Sequence, residues 1–386
     1  MKNRKRLLAL LLAAAMTLSL CACNFGGDAD PSADPSEEVS GEPDASATHE
    51  IVADLSQPPL QFTAGLSPDD VLLTVNGEEV TADLMLYWLD YSCYYFMYQY
   101  ALYGLSMEDY ADVLLDDAVS ICVSEVLLRQ KAAELGCLPT DAQVQEAKDQ
   151  IAADPETIEL FKAGYGLTDS SIEYLYLADA YYNNMLAAIT HEPSEEELSD
   201  YLTEQGFYRV KHILIKTVDD NYQSLPDDEV AEKQAQAEDL LAQLQAAQDL
   251  PTLFDQLMNE FSEDGRNDDG TLAAPDGYLA YSGQMDSSFE AASLALAEGE
   301  MSELVQSFYG YHIILRLPFA PFTETEKANY AESFRSTDLR NQADQWKEDA
   351  EIVWSDALTN LDVADFYAKM DAYQLALSAQ EENGVG

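Results

Sequence analysis

The chain has 386 residues, long enough for two domains with sizeable cores. Apolar residues make up 47%, which excludes a globally disordered chain. A formal charge of −53 excludes nucleic acid and unaided binding to an anionic membrane, because both would repel it; such acidity suits a solvated surface better than capture of basic partners.

The N-terminus reads as a secretion signal. Lys2, Arg4, Lys5 and Arg6 form a basic start, and 7–20 is an apolar run too short to span a bilayer. It ends in Leu20-Cys21-Ala22-Cys23. The next stretch, rich in Asp, Ser, Pro, Glu, Ala and Gly, has the composition of a disordered, self-repelling spacer covering 23–68.

A folded, mainly helical region is expected over 69–205. Val71–Val75 alternates as a short strand, and Asn76-Gly77 is a hairpin turn. A helix follows, capped by Thr81 and running to about Tyr103. It carries so many rings, among them Tyr87, Trp88, Tyr91, Tyr95 and Tyr98, that they cannot all face one core. Burial between neighbouring helices is the simpler reading, and a cradle for unfolded segments is the alternative. Further helices are predicted from Ser106 to Leu135, and over 140–153, 155–163 and 169–189. Another opens at Pro193-Ser194-Glu195, with the proline in its first turn. Cys93, Cys122 and Cys137 are an odd set without zinc spacing, so buried thiols are expected rather than a disulfide.

Over 206–318 the pattern becomes β-α-α-β-α-β-β. Strands are predicted at 208–216, 278–281, 303–307 and 311–317. Helices are predicted at 229–246, at 253–261 with Thr252 as cap, and at 286–296. The first and last strands each carry a histidine. Beyond Pro318, 319–386 reads as helical, with a cap at Thr323 or Thr325 and apolar positions at Tyr330, Phe334, Leu339 and Trp346.

Five motifs fall in order along the middle of the chain. They are Lys211-His212-Ile213-Leu214, Phe261-Ser262-Glu263-Asp264, Gly283-Gln284-Met285 with Phe289, Gly299-Glu300-Met301-Ser302, and Gly310-Tyr311-His312-Ile313-Ile314. Together they resemble the parvulin family of peptidyl-prolyl cis/trans isomerases. Residues 20–23 resemble the lipobox of bacterial lipoproteins, implying cleavage before Cys23 and lipidation of that cysteine. The strand–turn–helix opening is similar to that of extracytoplasmic foldases of Gram-positive bacteria. The implied fold class is α+β: a parvulin-like domain, a small antiparallel sheet flanked by helices, inserted in a mainly helical chaperone-like domain built from the N- and C-terminal segments.

Rotation about an X–Pro amide faces a barrier of about 18–20 kcal/mol. Lowering it requires an apolar cup for the ring and polar groups that stabilise the twisted amide, with no nucleophile, metal or cofactor. The resemblance implies that Met285 and Phe289, four apart on one helical face, form the cup. It places Gln284 by the substrate carbonyl and Asp264 by the rotating bond. It makes His212 and His312 a hydrogen-bonded pair, supported by Ser307. Residues 269–279 depart from the family's glycine-rich pattern, leaving the third wall of the cup to Leu272 or Leu279. Acidic Asp219 and Asp220 stand where phospho-specific members carry arginines, so no preference for phosphorylated substrates is expected. The expected partners are unfolded exported polypeptides with X–Pro bonds and a membrane reached through the lipid anchor at Cys23, with no nucleic acid and with room for a homodimer. Two alternatives stand beside this reading: a holdase with an inactive parvulin-like domain, and a solute-binding lipoprotein.

Overall fold

The computed structural model describes residues 51–100, 105–219, 221–267 and 269–384. The secretion signal, Cys23 and most of the spacer lie outside the described residues. The chain divides into two compact units, Met1–His191 with Arg335–Gly386, and Glu192–Phe334.

The first unit starts earlier than its composition suggests. Helix α1 (Pro59–Thr63) lies within the stretch read as spacer, yet Leu60 is 1% exposed and belongs to the core. The spacer assignment is corrected from there onward. Pro59, in the first turn, pre-sets the helical φ that so short a helix could not otherwise hold. Strands β1 (Val71–Val75) and β2 (Glu78–Thr81) form a hairpin. Its turn residues Asn76 and Gly77 both have positive φ, 52° and 83°, as a two-residue turn between twisted strands requires. Helices α2 (Ala82–Tyr100) and α3 (Met107–Leu135) pack together. Tyr87, Trp88 and Phe96 are buried, while Tyr95 and Tyr98 remain exposed. Helix α4 (Asp141–Ala153) opens on a capping box of Thr140 and Gln143. Next come α5 (Pro155–Leu160), a π turn at Phe161–Tyr165, and α6 (Asp169–Ile189).

The second unit opens with α7 (Glu195–Glu204). Ser194 and Glu197 form its capping box, so Pro193 precedes the cap instead of lying in the first turn. Strand β3 (Phe207–Lys216) is followed by α8 (Asp227–Gln245) and α9 (Leu250–Phe261). The cap of α9 is Asp249, whose carboxylate accepts from the Thr252 N–H; Thr252 therefore lies inside the helix. Then come β4 (Tyr278–Tyr281), α10 (Ser287–Ala295), β5 (Val305–Gln306) and β6 (Gly310–Leu317). The sheet order is β4-β3-β6-β5, with every pair antiparallel.

Strand alternation sorts the side chains of this unit. Ile213, Ile215, Ile313 and Leu315 pack beneath α8 and α9, whereas Tyr208, Val210 and Ile314 face Phe289 of α10. Helix α11 (Glu324–Asp349) begins in this unit and ends in the first. Its Tyr330 and Phe334 pack with Leu198 and Leu202 of α7 and with Phe319 and Phe322. The compact unit is thus wider than the 206–318 stretch read from the motifs.

The chain then returns to the first unit. Strand β7 (Ile352–Trp354) pairs with β1, setting Leu73 opposite Trp354. Three residues give too short an alternation to be seen in sequence. Helices α12 (Asp356–Thr359) and α13 (Val363–Gly384) follow, and Phe366 and Met370 join the core that holds Leu60 and Trp88. The architecture is the α+β arrangement implied above, with the unit that holds the four-stranded sheet inserted between two segments that share one core. Cys93, Cys122 and Cys137 form no disulfide. Among the described residues no helix is long and apolar enough to cross a membrane.

Gly277 has φ +85°, and a Cβ there would sit 2.3 Å from the Val210 carbonyl oxygen. Gly277→Ala is expected to destabilise the second unit by about 2 kcal/mol through backbone strain. Hydrogen exchange of the β3–β4 amides would report it.

Candidate active site

The sheet register brings the two histidines together. Leu214 lies opposite His312 and His212 opposite Ile314, so the imidazoles are diagonal neighbours on one face. Their rings stack with centroids 5.2 Å apart, and the two Nδ1 atoms are 3.2 Å apart. Strand β4 covers β3 only over Phe207–Val210, so the β3 backbone beyond is open to the loop that follows α9. That loop is stitched on by Leu214 N–H donating to Ser262 Oγ, Glu263 N–H to the Leu214 carbonyl, and Lys216 N–H to Glu263. The stitching delivers Asp264 to His212, with Oδ2 3.0 Å from Nε2. At the other end His312 Nε2 is 2.7 Å from Ser307 Oγ, which also accepts the Tyr309 N–H.

Tyr278 completes the set, and motif reasoning did not find it. Its hydroxyl donates to Asp264 Oδ2, the same oxygen that meets His212, and its ring stands edge-on to that imidazole. The signal lay in the alternation of β4. Tyr278 pairs with Val210 and Ala280 with Tyr208, so both occupy the histidine face while Leu279 points to the opposite one.

Charge follows from these contacts. Burial alone would raise the Asp264 pKa. The hydrogen bond and charge of His212, with the Tyr278 hydroxyl and the Gly265 N–H, more than offset it and hold the carboxyl well below its usual range. Burial, reinforced by the neighbouring His212, pushes His312 down to about 3, so it is neutral near pH 7. The Tyr278 phenol is raised by burial and by the adjoining carboxylate, and remains a donor.

Two proton arrangements satisfy every atom of the chain. With His212 neutral, its Nε2–H donates to Asp264, His312 Nδ1–H donates to His212, and the Ser307 hydroxyl donates to His312. With a second proton on His212, both links beyond it reverse.

A cavity of about 380 Å³ opens beside this network, lined by both histidines, Asp264, Tyr278, Met285 and Phe289, with Leu214, Lys216, Tyr222 and Tyr309 on its remaining wall. The Phe289 ring is 4% exposed and stands edge-on to both imidazoles, centroids 5.0 Å and 5.2 Å away. Asp286 fixes that ring by capping α10, accepting from the Ser288 and Phe289 N–H groups.

Three sequence expectations are corrected. Gln284 is exposed and off the cavity wall; its side-chain oxygen accepts the Tyr281 N–H and pins the turn after β4. Leu279 packs with Leu198 and Phe319 on the other side of the sheet. Leu272 is buried with Phe254 and Leu257 and borders only a small second cleft that shares His212, Asp264 and Tyr278. Leu214 and three tyrosines line the rest of the cavity, where Leu272 and Leu279 were expected.

Tyr278→Phe keeps the ring and removes one donor from Asp264. The acid limb of any activity profile is expected to move to higher pH and the rate near neutrality to fall at least about tenfold, the lower end of the worth of one hydrogen bond to a charged group. An unchanged pH profile would deny Tyr278 this role.

Residues 212–317 match the family model described as the PPIC-type PPIASE domain, or rotamase. The second unit therefore contains a parvulin-type domain. The curated relatives are named more narrowly. The chain is 32% identical over 170 residues to the foldase protein PrsA of Staphylococcus aureus strain Newman, covering 41% of this chain and 50% of that one. It thus spans about half the length of the curated relatives it matches. Among solved structures, the peptidylprolyl isomerase PrsA of Bacillus cereus aligns over 79% of this chain and 100% of its own at 19% identity and a TM-score of 0.29. PrsA of Bacillus subtilis aligns over 78% and 99% at 20% identity and a TM-score of 0.23.

Proposed function

We propose that the protein is a peptidyl-prolyl cis/trans isomerase of parvulin type, held at the outer face of the cytoplasmic membrane by lipid on Cys23, that assists the folding of exported polypeptides. The observation that carries this reading is the placement of Phe289 against both imidazoles on the wall of an open cavity shared with Met285 and Asp264. A proline ring fits an aromatic and thioether wall. The adjoining carboxylate and imidazoles present fixed dipoles to an amide twisting out of conjugation. Such preorganised polarity lowers a rotational barrier without bond making. His212 and His312 position one another, and Ser307 and Tyr278 hold the two ends of the row. Asp264 and the cup residues meet the substrate. Among the described residues that line the cavity none is an arginine, which supports indifference to phosphate.

The test is the exchange rate of an X–Pro peptide in the presence of the purified protein. Catalysed exchange is expected, and a rate equal to that of buffer alone would refute the assignment. Fatty-acid labelling lost in Cys23→Ser tests the anchor. A second reading, a passive holdase, draws on exposed Tyr95 and Tyr98, which are 44% and 67% accessible. It predicts suppressed aggregation of an unfolded client with no effect on proline exchange.

A further inference from the structure

We propose that Arg266 is a positioning residue for Asp264: its guanidinium locks the loop that carries Asp264 and so holds the carboxylate against His212 and Tyr278. The proposal rests on the prolyl isomerase reading and adds to it a residue outside the five motifs.

The loop after α9 is held differently on the two sides of Asp264. On the near side the ties are to the sheet, Leu214 N–H donating to Ser262 Oγ and Glu263 N–H to the Leu214 carbonyl. On the far side stands exposed Gly265, and the tie is made by a side chain. Arg266 Nε and Nη2 both donate to the Ser262 carbonyl, at 3.2 Å and 2.9 Å, closing the chain from 262 to 266 around Asp264. Ser262 is 2% exposed and bonded to β3, so this closure is anchored to the strand that bears His212. Asp264 meets both His212 and Tyr278 through the one oxygen Oδ2, so a small displacement of the loop breaks two hydrogen bonds together.

The same guanidinium joins two further segments. Nη2 donates to the Asn259 carbonyl at 2.8 Å, and Nη1 to the Gly270 carbonyl at 2.7 Å. Asn259 lies in the last turn of α9, where carbonyls lack intrahelical partners and no basic residue is present. A positive charge there meets the negative end of the helix. Gly270 belongs to a small hairpin: Arg266 bridges Leu272, Asn267 N–H donates to the Thr271 carbonyl, and Ala273 N–H donates to the Gly265 carbonyl. The hairpin takes in the start of 269–279, where the family's glycine-rich pattern is lost, so Arg266 braces the altered stretch against the helix. Arg266 is exposed, and ordering an exposed arginine costs side-chain entropy. Only a planar fork reaches three carbonyls at once; lysine would supply the charge without the fork.

The experiment compares Arg266→Ala and Arg266→Lys with the wild type as full proteins. It reads kcat and KM for X–Pro peptide exchange, hydrogen exchange of the β3–β6 amides, and the proton resonance of His212 Nε2–H. In Arg266→Ala kcat is expected to fall about tenfold with KM changed less than about twofold, and the acid limb of the profile to move to higher pH. The His212 resonance should lose the downfield shift that Asp264 imposes, while β3–β6 protection stays. Arg266→Lys keeps the charge at the helix end and should leave kcat near that of Arg266→Ala. In an Asp264→Asn background, Arg266→Ala should change the residual kcat less than about twofold, because the charge it positions is gone. Wild-type kcat in Arg266→Ala, full recovery in Arg266→Lys, loss of β3–β6 protection in step with kcat, or the same tenfold loss on top of Asp264→Asn would overturn the role. If the wild type turns over no peptide, the isomerase reading fails by itself, and the His212 resonance in Arg266→Ala still decides whether Arg266 positions Asp264.

Discussion

Phe289→Ala is expected to abolish most proline exchange, lowering kcat/KM about a hundredfold, and to cost the second unit about 3–5 kcal/mol of stability. The ring is nearly inaccessible and packs at once on Tyr208, Val210, Ile314 and both imidazoles. Its removal empties the cavity wall proposed to hold the proline ring and admits water to the histidine row. Because so large a cavity could also unfold the unit, Met285→Ala is the companion variant. Met285 is half-buried at the edge of the same cluster, and its truncation should leave folding nearly intact. It should still lower kcat/KM about tenfold, the worth of the apolar contact it makes with the ring. Folding is read by hydrogen exchange in β3 and β6, and activity by peptide exchange. Met285→Ala with wild-type kinetics would remove the cup from the mechanism.

Acid should weaken the second unit well above the range where carboxylates titrate. His312 is buried and neutral, with its folded pKa down at about 3 against 6.5 for an ordinary histidine. A group depressed in this way binds its proton more readily when unfolded. Its full contribution is present above pH 6.5 and is lost progressively as pH falls toward 3. Between pH 6.5 and 4 the loss amounts to about 3 kcal/mol, at 1.36 kcal/mol per pH unit. Asp264, also depressed, adds its own loss only below the ordinary carboxylate range, so the two windows are separable. Hydrogen exchange of the β3–β6 amides, corrected for intrinsic rates, measures the slope. His312→Gln should be less stable at pH 7 yet lose about 3 kcal/mol less on acidification. An equal slope in both proteins would mean that His312 titrates normally.

The same residues show what local pattern conveys and what it does not. Period-two alternation placed β3, β4 and β6 within a residue or two, because half-buried strands must alternate. Capping chemistry accounts for the starts of α4 and α6, each within a residue of the span read from sequence, since Thr140 and Thr168 each satisfy an N–H there. It misassigned Thr252, because Asp249 three residues earlier offers the stronger acceptor. Strand β7 and helix α1 escaped notice for a different reason. Each is too short to show a period, and each is stabilised by partners far away in sequence, Leu73 and Tyr373 among them.

Within the site, spaced motifs identified His212, Asp264, Met285, Phe289, Ser307 and His312 as candidates, and the fold brings all six to one network and cavity. Gln284 and Leu279 were misplaced, since motif order records which residues occur together and is silent on direction. A one-residue step along β4 exchanges the faces of the sheet, putting Tyr278 at Asp264 and Leu279 behind it.

The amino-acid order alone placed the two histidine strands, because periodicity is a local property of a chain, and the order of its motifs implied the α+β class through resemblance. Tertiary structure decided the rest: the register that makes the imidazoles diagonal neighbours, the loop stitching that brings Asp264 to them, and the tyrosines that wall the cavity. Those depend on hydrogen bonds between segments roughly fifty to a hundred residues apart, which only the assembled sheet and the loop docked on it can align.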